Sequence, residues 1–150
     1  MIRTVLFTAL LMLFVACGSV NESASFKSLP SDGWAYGDTI VFEDACADSV
    51  VAGNIVLAVR HTDAYIYSNL WLELTTLGGD GILRRDTVNV ILADTYGNWQ
   101  GSGAGVSYVA TDTLDAIYRF DRQQPPKLRH IMRVDTLEDI EQIGIVFITR

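Results

Sequence analysis

The sequence predicts one all-β domain, an antiparallel β-sandwich of jelly-roll type, behind an N-terminal export signal. Of its 150 residues, 49% are hydrophobic and only 19% are charged, a balance that excludes intrinsic disorder. Short runs rich in Val, Ile, Tyr, Phe and Thr recur between clusters of Gly, Asp, Asn and Pro, as in sandwich strands. No amphipathic stretch long enough for a helix of about ten residues competes with them.

The first sixteen residues have the properties of a secretory signal peptide. Arg3 supplies one positive charge, and the run from Thr4 to Ala16 is shorter than the roughly 20 apolar residues that a membrane-spanning helix needs. The tetrad Phe14-Val15-Ala16-Cys17 resembles the lipobox of bacterial lipoproteins. We therefore expect residues 1–16 to be removed and Cys17 to carry the acyl chains that hold the protein on a membrane. An ordinary cleaved signal and an uncleaved anchor helix are the alternatives.

Residues 17–25 follow as a small, polar, flexible tether, and residues 26–150 form the predicted domain. Once Cys17 is lipidated, Cys46 has no partner in the chain for a disulfide. We expect Cys46 to pack beside a strand as a small residue, because no base for a thiol nucleophile is evident near it in the sequence.

Within the domain, alternation of apolar and polar residues assigns faces to the strands. Leu70, Leu72 and Leu74 share one face and are predicted to line the core, which places Trp71 outward or under a covering loop. The only helical signal is one turn over residues 136–140, capped by Thr136. The predicted strands are Thr39–Glu43, Asn54–His61, Asn69–Thr76, Asp86–Leu92, Val106–Ala110, Ala116–Phe120, Arg129–Val134 and Gly144–Thr149.

No catalytic, metal or cofactor site is predicted. The glycine-rich stretch 101–105 precedes a strand-like run rather than a helix, so it predicts a connection between strands and not a phosphate loop. His61 and His130 continue the apolar parity of their strands and lack ligand-like partners at metal-site spacing. Acidic loop residues predict turns rather than a calcium run. The net charge of -7 argues against binding to nucleic acid.

Aromatic side chains offer the most specific sign of a binding surface. They lie near strand ends or turns, where a Trp or Tyr platform suits either a protein partner or a sugar ring. We assign binding to outward aromatics and the polar groups beside them. The assigned residues are Arg60, Tyr65, Tyr67, Asn69, Trp71 and Trp99.

Seven segments of the mature chain, in order, resemble the GldH gliding-motility lipoproteins of Bacteroidetes. These segments are residues 26–38, 59–62, 65–72, 86–89, 92–94, 97–101 and 130–134. The resemblance implies an envelope lipoprotein associated with gliding motility and the linked secretion machinery. It implies protein partners in that machinery and supplies no catalytic residues.

The resemblance also bears on orientation. Surface-displayed lipoproteins of that phylum tend to carry a charged cluster after the cysteine, which residues 18–22 lack, so we expect the protein to face the periplasm. The leading hypothesis is a non-enzymatic docking or structural component. A carbohydrate-binding module for glycan or peptidoglycan is the alternative, and a hydrolase using His61 or Cys46 ranks third.

Overall fold

A computed structural model describes residues 22–45 and 51–149, with only the backbone of Val51. The predicted signal peptide, Cys17, most of the predicted tether and Cys46 lie outside these residues.

Eleven strands and one short 3-10 helix, Glu43–Ala45, make up the described chain. The strands are β1 (Glu22–Ser28), β2 (Trp34–Ala35), β3 (Ile40–Val41), β4 (Val51–Thr62), β5 (Asn69–Gly78), β6 (Leu83–Ile91), β7 (Ser102–Ala104), β8 (Ser107–Phe120), β9 (Lys127–His130), β10 (Thr136–Leu137) and β11 (Ile140–Thr149).

All strand pairs are antiparallel, and they form two layers that join at one corner. One layer has the order β1-β11-β4-β8-β7, and the other has the order β6-β5-β9-β3. The layers meet where Leu77 and Gly78 of β5 pair with Arg119 and Tyr118 of β8. Strands β2 and β10 form a separate small sheet. This single, antiparallel, sandwich-like domain confirms the predicted fold class.

The predicted inward faces form the core. Leu70, Leu72 and Leu74 on β5 are fully buried, and they pack in one cluster with Ile55, Leu57 and Val59 of β4. Alternate residues of β6 in one layer and of β11 in the other also pack in this cluster. His61 and His130 are buried as the parity of their strands predicts, and His61 Nδ1 lies 2.8 Å from the carbonyl oxygen of Thr62.

The two strands predicted at 106–110 and 116–120 are one strand, β8. Its pairing with β4 is irregular, since Gly53 pairs with Tyr118 whereas Ile55 pairs with Leu114. Asn54 spans the irregularity, because its side-chain amide donates to the carbonyl oxygens of Leu114 and Ala116, 3.3 Å away in each case. The segment between Leu114 and Tyr118 is therefore a β-bulge inside a continuous strand.

Other predicted boundaries were wrong. The run from Thr136 to Ile140 contains β10 instead of a helical turn, and Asp139 there has a positive φ of 65°, which a helix does not permit. The strand predicted over 129–134 ends at His130, and the one over 39–43 contains only Ile40–Val41. Residues 22–25 of the predicted tether belong to β1, where they pair with β11.

Candidate docking groove

A solvent-open groove of about 580 Å³ lies where β9 ends beside β5. Trp71 on β5 forms one wall, and the segment that follows β9 forms the other. Trp71 is 41% exposed, so its ring points outward and is not covered by a loop. The groove, called the Trp71 groove below, is lined by Tyr67, Asn69, Trp71, Ile131, Met132, Arg133 and Val134.

Backbone hydrogen bonds hold the two walls of the groove together. The N–H of Ile131 donates to the carbonyl oxygen of Trp71 at 2.9 Å. The N–H of Trp71 contacts the sulfur of Met132 at 3.3 Å. Met132 is nearly buried and reaches the core cluster, so it fixes the floor of the groove while Trp71 stays accessible above it. One wall of the groove is therefore a strand, and the other is an irregular segment that these two contacts hold against it.

Polar contacts also fix the end of the groove at the start of β5. The Asn69 amide donates to the Asn89 side-chain oxygen at 2.6 Å. The Tyr65 hydroxyl donates to the carbonyl oxygen of Asn69 at 3.0 Å, and its ring meets that of Tyr67 edge-on at 5.6 Å. Burial raises the pKa of Tyr65 far above its usual value, so this donor stays protonated. Tyr67 is therefore supported from below by a fixed aromatic ring.

The outer face of β5 beside the groove is basic, although the chain as a whole is acidic. Strand pairing places Arg129 opposite Glu73, and it places Arg85 and Lys127 opposite Thr75, two residues further along the same face. Arg129 donates to both oxygens of Glu73, at 2.8 and 3.2 Å, and Arg85 lies 3.6 Å away. The hydrogen bond from Arg129 lowers the pKa of Glu73, so this carboxylate stays negatively charged beside two arginines.

The structure brings together three of the six predicted binding residues, namely Tyr67, Asn69 and Trp71. Tyr65 is only 4% exposed, so the prediction that its ring faces outward was wrong. Trp99 is partly buried and packs on His61 with ring centroids 4.6 Å apart. Arg60 lies in a separate shallow depression with residues such as Ser102 and Val109. Tyr65 therefore supports the groove through Tyr67, whereas Trp99 packs in the ring cluster around His61.

Sequence reasoning missed the second wall of the groove, residues 131–134. All four belong to the strand predicted over Arg129–Val134, which ends at His130 in the structure. The available signal was the pair of long side chains Met132 and Arg133 after the strand. The position of residues 131–134 opposite Trp71 depends on the pairing of β9 with β5, which no local pattern reveals.

Within residues 22–45 and 51–149, no group of three or more His, Cys, Asp or Glu side chains is arranged to hold a metal ion. The same ranges contain no helix that is both long and apolar enough to cross a membrane.

Comparisons with known proteins give one family match. The model of the family described as GldH lipoprotein matches residues 21–147. No curated protein shows significant similarity to the chain. Among solved structures, the chain is similar to a chain of the infectious bursal disease virus Gx strain, with 12% identity, a TM-score of 0.31 and 86% of this chain covered. A VP2 subviral particle of the same virus gives 12% identity, a TM-score of 0.28 and 87% coverage. The chain spans about a third of the length of those viral chains, 32% and 31%.

Proposed function

Because the chain belongs to the GldH lipoprotein family, we propose that it is a lipid-anchored, non-enzymatic docking component of the gliding-motility and linked secretion machinery. The family name implies a membrane-anchored lipoprotein. Cys17, which follows the lipobox-like tetrad, is the residue that would carry the acyl chains. Two or more chains suffice for stable anchoring. The domain faces the periplasm in this proposal.

The observation that carries the docking role is the Trp71 groove. An aromatic ring that is 41% exposed beside a nearly buried Met132 resembles the centre of a protein interface, where Trp and Arg contribute most to affinity. Arg133 lines the same groove, and the basic outer face of β5 adjoins it. A chain of net charge -7 that concentrates positive charge on this face suits a partner segment with carboxylate and apolar side chains.

Substitution at Trp71 tests this role. The lipidated protein is purified from its own envelope as wild type, Trp71→Ala, Trp71→Phe and Tyr96→Ala. Tyr96 is 89% exposed and lies outside the groove, so Tyr96→Ala is the matched control. We expect Trp71→Ala to lose at least about tenfold of the recovered motility partner, Trp71→Phe to restore part of it, and Tyr96→Ala to retain it.

Circular dichroism must give the same folded spectrum for every variant, since Trp71 also packs on its neighbours. Arg133→Glu should weaken the same partner and remove part of the salt dependence of binding. Equal recovery of partners by wild type and folded Trp71→Ala would refute docking through the groove.

Two further measurements test the anchor and the orientation. The intact mass of the membrane-purified protein should exceed that of the unmodified mature chain, and Cys17→Ser should abolish the increase. Protease added to intact cells should leave the domain uncleaved. An unmodified Cys17 would contradict the anchor, and cleavage on intact cells would contradict the periplasmic orientation.

A carbohydrate-binding role is the second candidate, and the exposed ring of Trp71 favours it, because sugar rings stack on such platforms. Titration with peptidoglycan fragments or surface glycan distinguishes the two roles. Trp34 is buried, so a saturable change in tryptophan fluorescence that disappears in Trp71→Phe would indicate sugar at the groove. No change in fluorescence would favour protein docking.

A further inference from the structure

The first strand of the domain begins at the same end of the sandwich as the hairpin between β5 and β6. Pairing runs from Gly78 to Tyr118, from Tyr118 to Gly53, and from Gly53 to Thr149 across four neighbouring strands. Glu22 pairs with Ile148, the neighbour of Thr149. Glu22 is therefore four strand spacings of about 4.8 Å, or about 19 Å along the sheet, from the base of the hairpin.

The lipid anchor predicted at Cys17 must lie near this end. Five residue steps separate Cys17 from Glu22, and a chain of that length spans at most about 18 Å even when it is fully extended. A membrane that holds Cys17 is therefore within reach of the end of the domain that carries Glu22.

Two large apolar side chains are exposed in the hairpin at this end. Ile82 is 65% exposed and Leu83 is 60% exposed. Adjacent exposed aliphatic residues on a turn gain no packing within the domain, and they are typical of segments that enter the interfacial region of a membrane.

The hairpin presents these residues in a fixed conformation. The N–H of Ile82 donates to the Asp80 carboxylate at 2.9 Å, and the N–H of Gly78 donates to the carbonyl oxygen of Ile82 at 2.8 Å. Gly81 adopts a φ of 81°, which favours glycine. The N–H of Gly79 donates to the carbonyl oxygen of Ile117 at 2.9 Å and so ties the turn to the other layer.

Arginine side chains surround the exposed pair. Arg84 and Arg85 follow Leu83 directly, with side chains 43% and 68% exposed. The Arg119 guanidinium lies against Gly81, since a Cβ added there would be 3.0 Å from its nitrogen. Long cationic side chains beside apolar residues can reach phosphate headgroups while the apolar residues enter the acyl boundary.

We propose that Ile82 and Leu83 of the β5–β6 hairpin insert into the interfacial region of the membrane beside the lipid anchor. Anionic phosphate headgroups contact Arg84 and Arg119 beside them. This second contact orients the domain with the hairpin end down. It rests on the lipid anchoring in the proposed function but is separate from docking at the groove.

Ile66 supplies a matched control, because it is also a highly exposed isoleucine in a turn between strands. It is 81% exposed and lies between β4 and β5, at the end opposite to the hairpin. Ile82→Trp and Ile66→Trp therefore place the same fluorophore at the two ends of the same domain.

The test uses the full lipidated protein in vesicles of phosphatidylethanolamine and phosphatidylglycerol in which part of the acyl chains is brominated. Bromine quenches tryptophan only at close range. We expect the tryptophan introduced by Ile82→Trp to be quenched at least about twofold more than that introduced by Ile66→Trp, with a blue-shifted emission. The three native tryptophans are common to both variants and cancel in the comparison.

Flotation of the vesicles separates the possible failures. If both variants float with the vesicles and are quenched equally, the hairpin contact is overturned and the anchor stands. If neither variant floats, the anchor at Cys17 fails and the hairpin contact fails with it. Stronger quenching of Ile82→Trp in floating vesicles supports the proposal.

Discussion

Gly53 is the position at which a single added methyl group should damage the sandwich most clearly. It lies on β4 where that strand pairs with Thr149 of β11. A Cβ added at Gly53 would be 2.2 Å from the carbonyl oxygen of Ile148, a backbone atom that no side-chain rotation can move away. The two strands would have to separate by about 1 Å to restore an ordinary contact distance.

Overpacking of this kind costs about 2 kcal/mol of the free energy of unfolding. For a domain of this size, that loss lowers the midpoint of thermal unfolding by about 7 °C. Gly37→Ala is the control, since no atom lies within 4 Å of the Cβ position and no positive φ is present there. Its effect should be a gain of about 0.5 kcal/mol from the restricted unfolded chain.

Thermal unfolding of the purified variants, followed by circular dichroism, measures both changes. If Gly53→Ala unfolds at the same temperature as Gly37→Ala, the close approach of β4 and β11 is refuted, and with it the register that places Glu22 and Gly78 at one end of the sandwich.

Three other substitutions test the core and the charges beside the groove. Leu72→Ala should cost about 3 kcal/mol of unfolding free energy, measured in urea, because Leu72 is fully buried. The lowered pKa of Glu73 means that its bond to Arg129 stabilises the fold at pH values above the unfolded pKa of about 4.3. This stability is lost as the pH falls through the lower folded value, so the temperature of unfolding, measured at a series of acidic pH values, should depend less on pH in Glu73→Gln. Burial and the Asp86 hydrogen bond raise the pKa of Tyr118 to about 12, so the stability of the fold decreases as the pH rises from about 10 toward that value. Tyr118→Phe should reduce this alkaline loss of stability, and absorbance titration of the wild type should show a tyrosine that ionises late.

The sequence predicted strand faces better than strand ends. Alternation assigned Leu70, Leu72 and Leu74 to the core because these residues belong to a strand with one buried face. It failed for β1, whose sequence Glu-Ser-Ala-Ser-Phe-Lys-Ser has only Ser25 buried and shows no apolar repeat. An edge strand of this kind is held by backbone pairing with β11, which leaves little trace in side-chain hydropathy.

Glycine explains a second failure. The predicted strand begins at Asn54, directly after Gly53, whereas β4 begins at Val51, because glycine is typical of strand boundaries. Glycine within a strand also marks a close approach of another backbone, and the carbonyl oxygen of Ile148 shows that this is its role here. The sequence cannot distinguish the two roles, because the approaching strand lies almost one hundred residues away.

The candidate site was predicted only in part for the same reason. Parity placed Trp71 on the outer face, but whether a ring there is exposed depends on what pairs beside it. The partner is the segment that follows β9, and its register against β5 is set by a contact about sixty residues distant. Tyr65 differs because its hydroxyl bonds the carbonyl oxygen of Asn69, which draws the ring into the core.

The groove and the hairpin lie at different positions along the same strand, β5. Seven residues of β5 separate Trp71 from Gly78, a rise of about 23 Å. With the hairpin end at the membrane, Trp71 stands about that far above the headgroups, at a height that a partner lying flat on the lipid does not reach. Lengthening the chain between Cys17 and Glu22 would lower the effective concentration of the hairpin at the membrane, and the weakened contact would release the domain from this height without altering the groove. The partner of the groove should therefore be a protein that itself projects from the membrane, and its recovery should decline when that chain is lengthened even though Trp71 is unchanged.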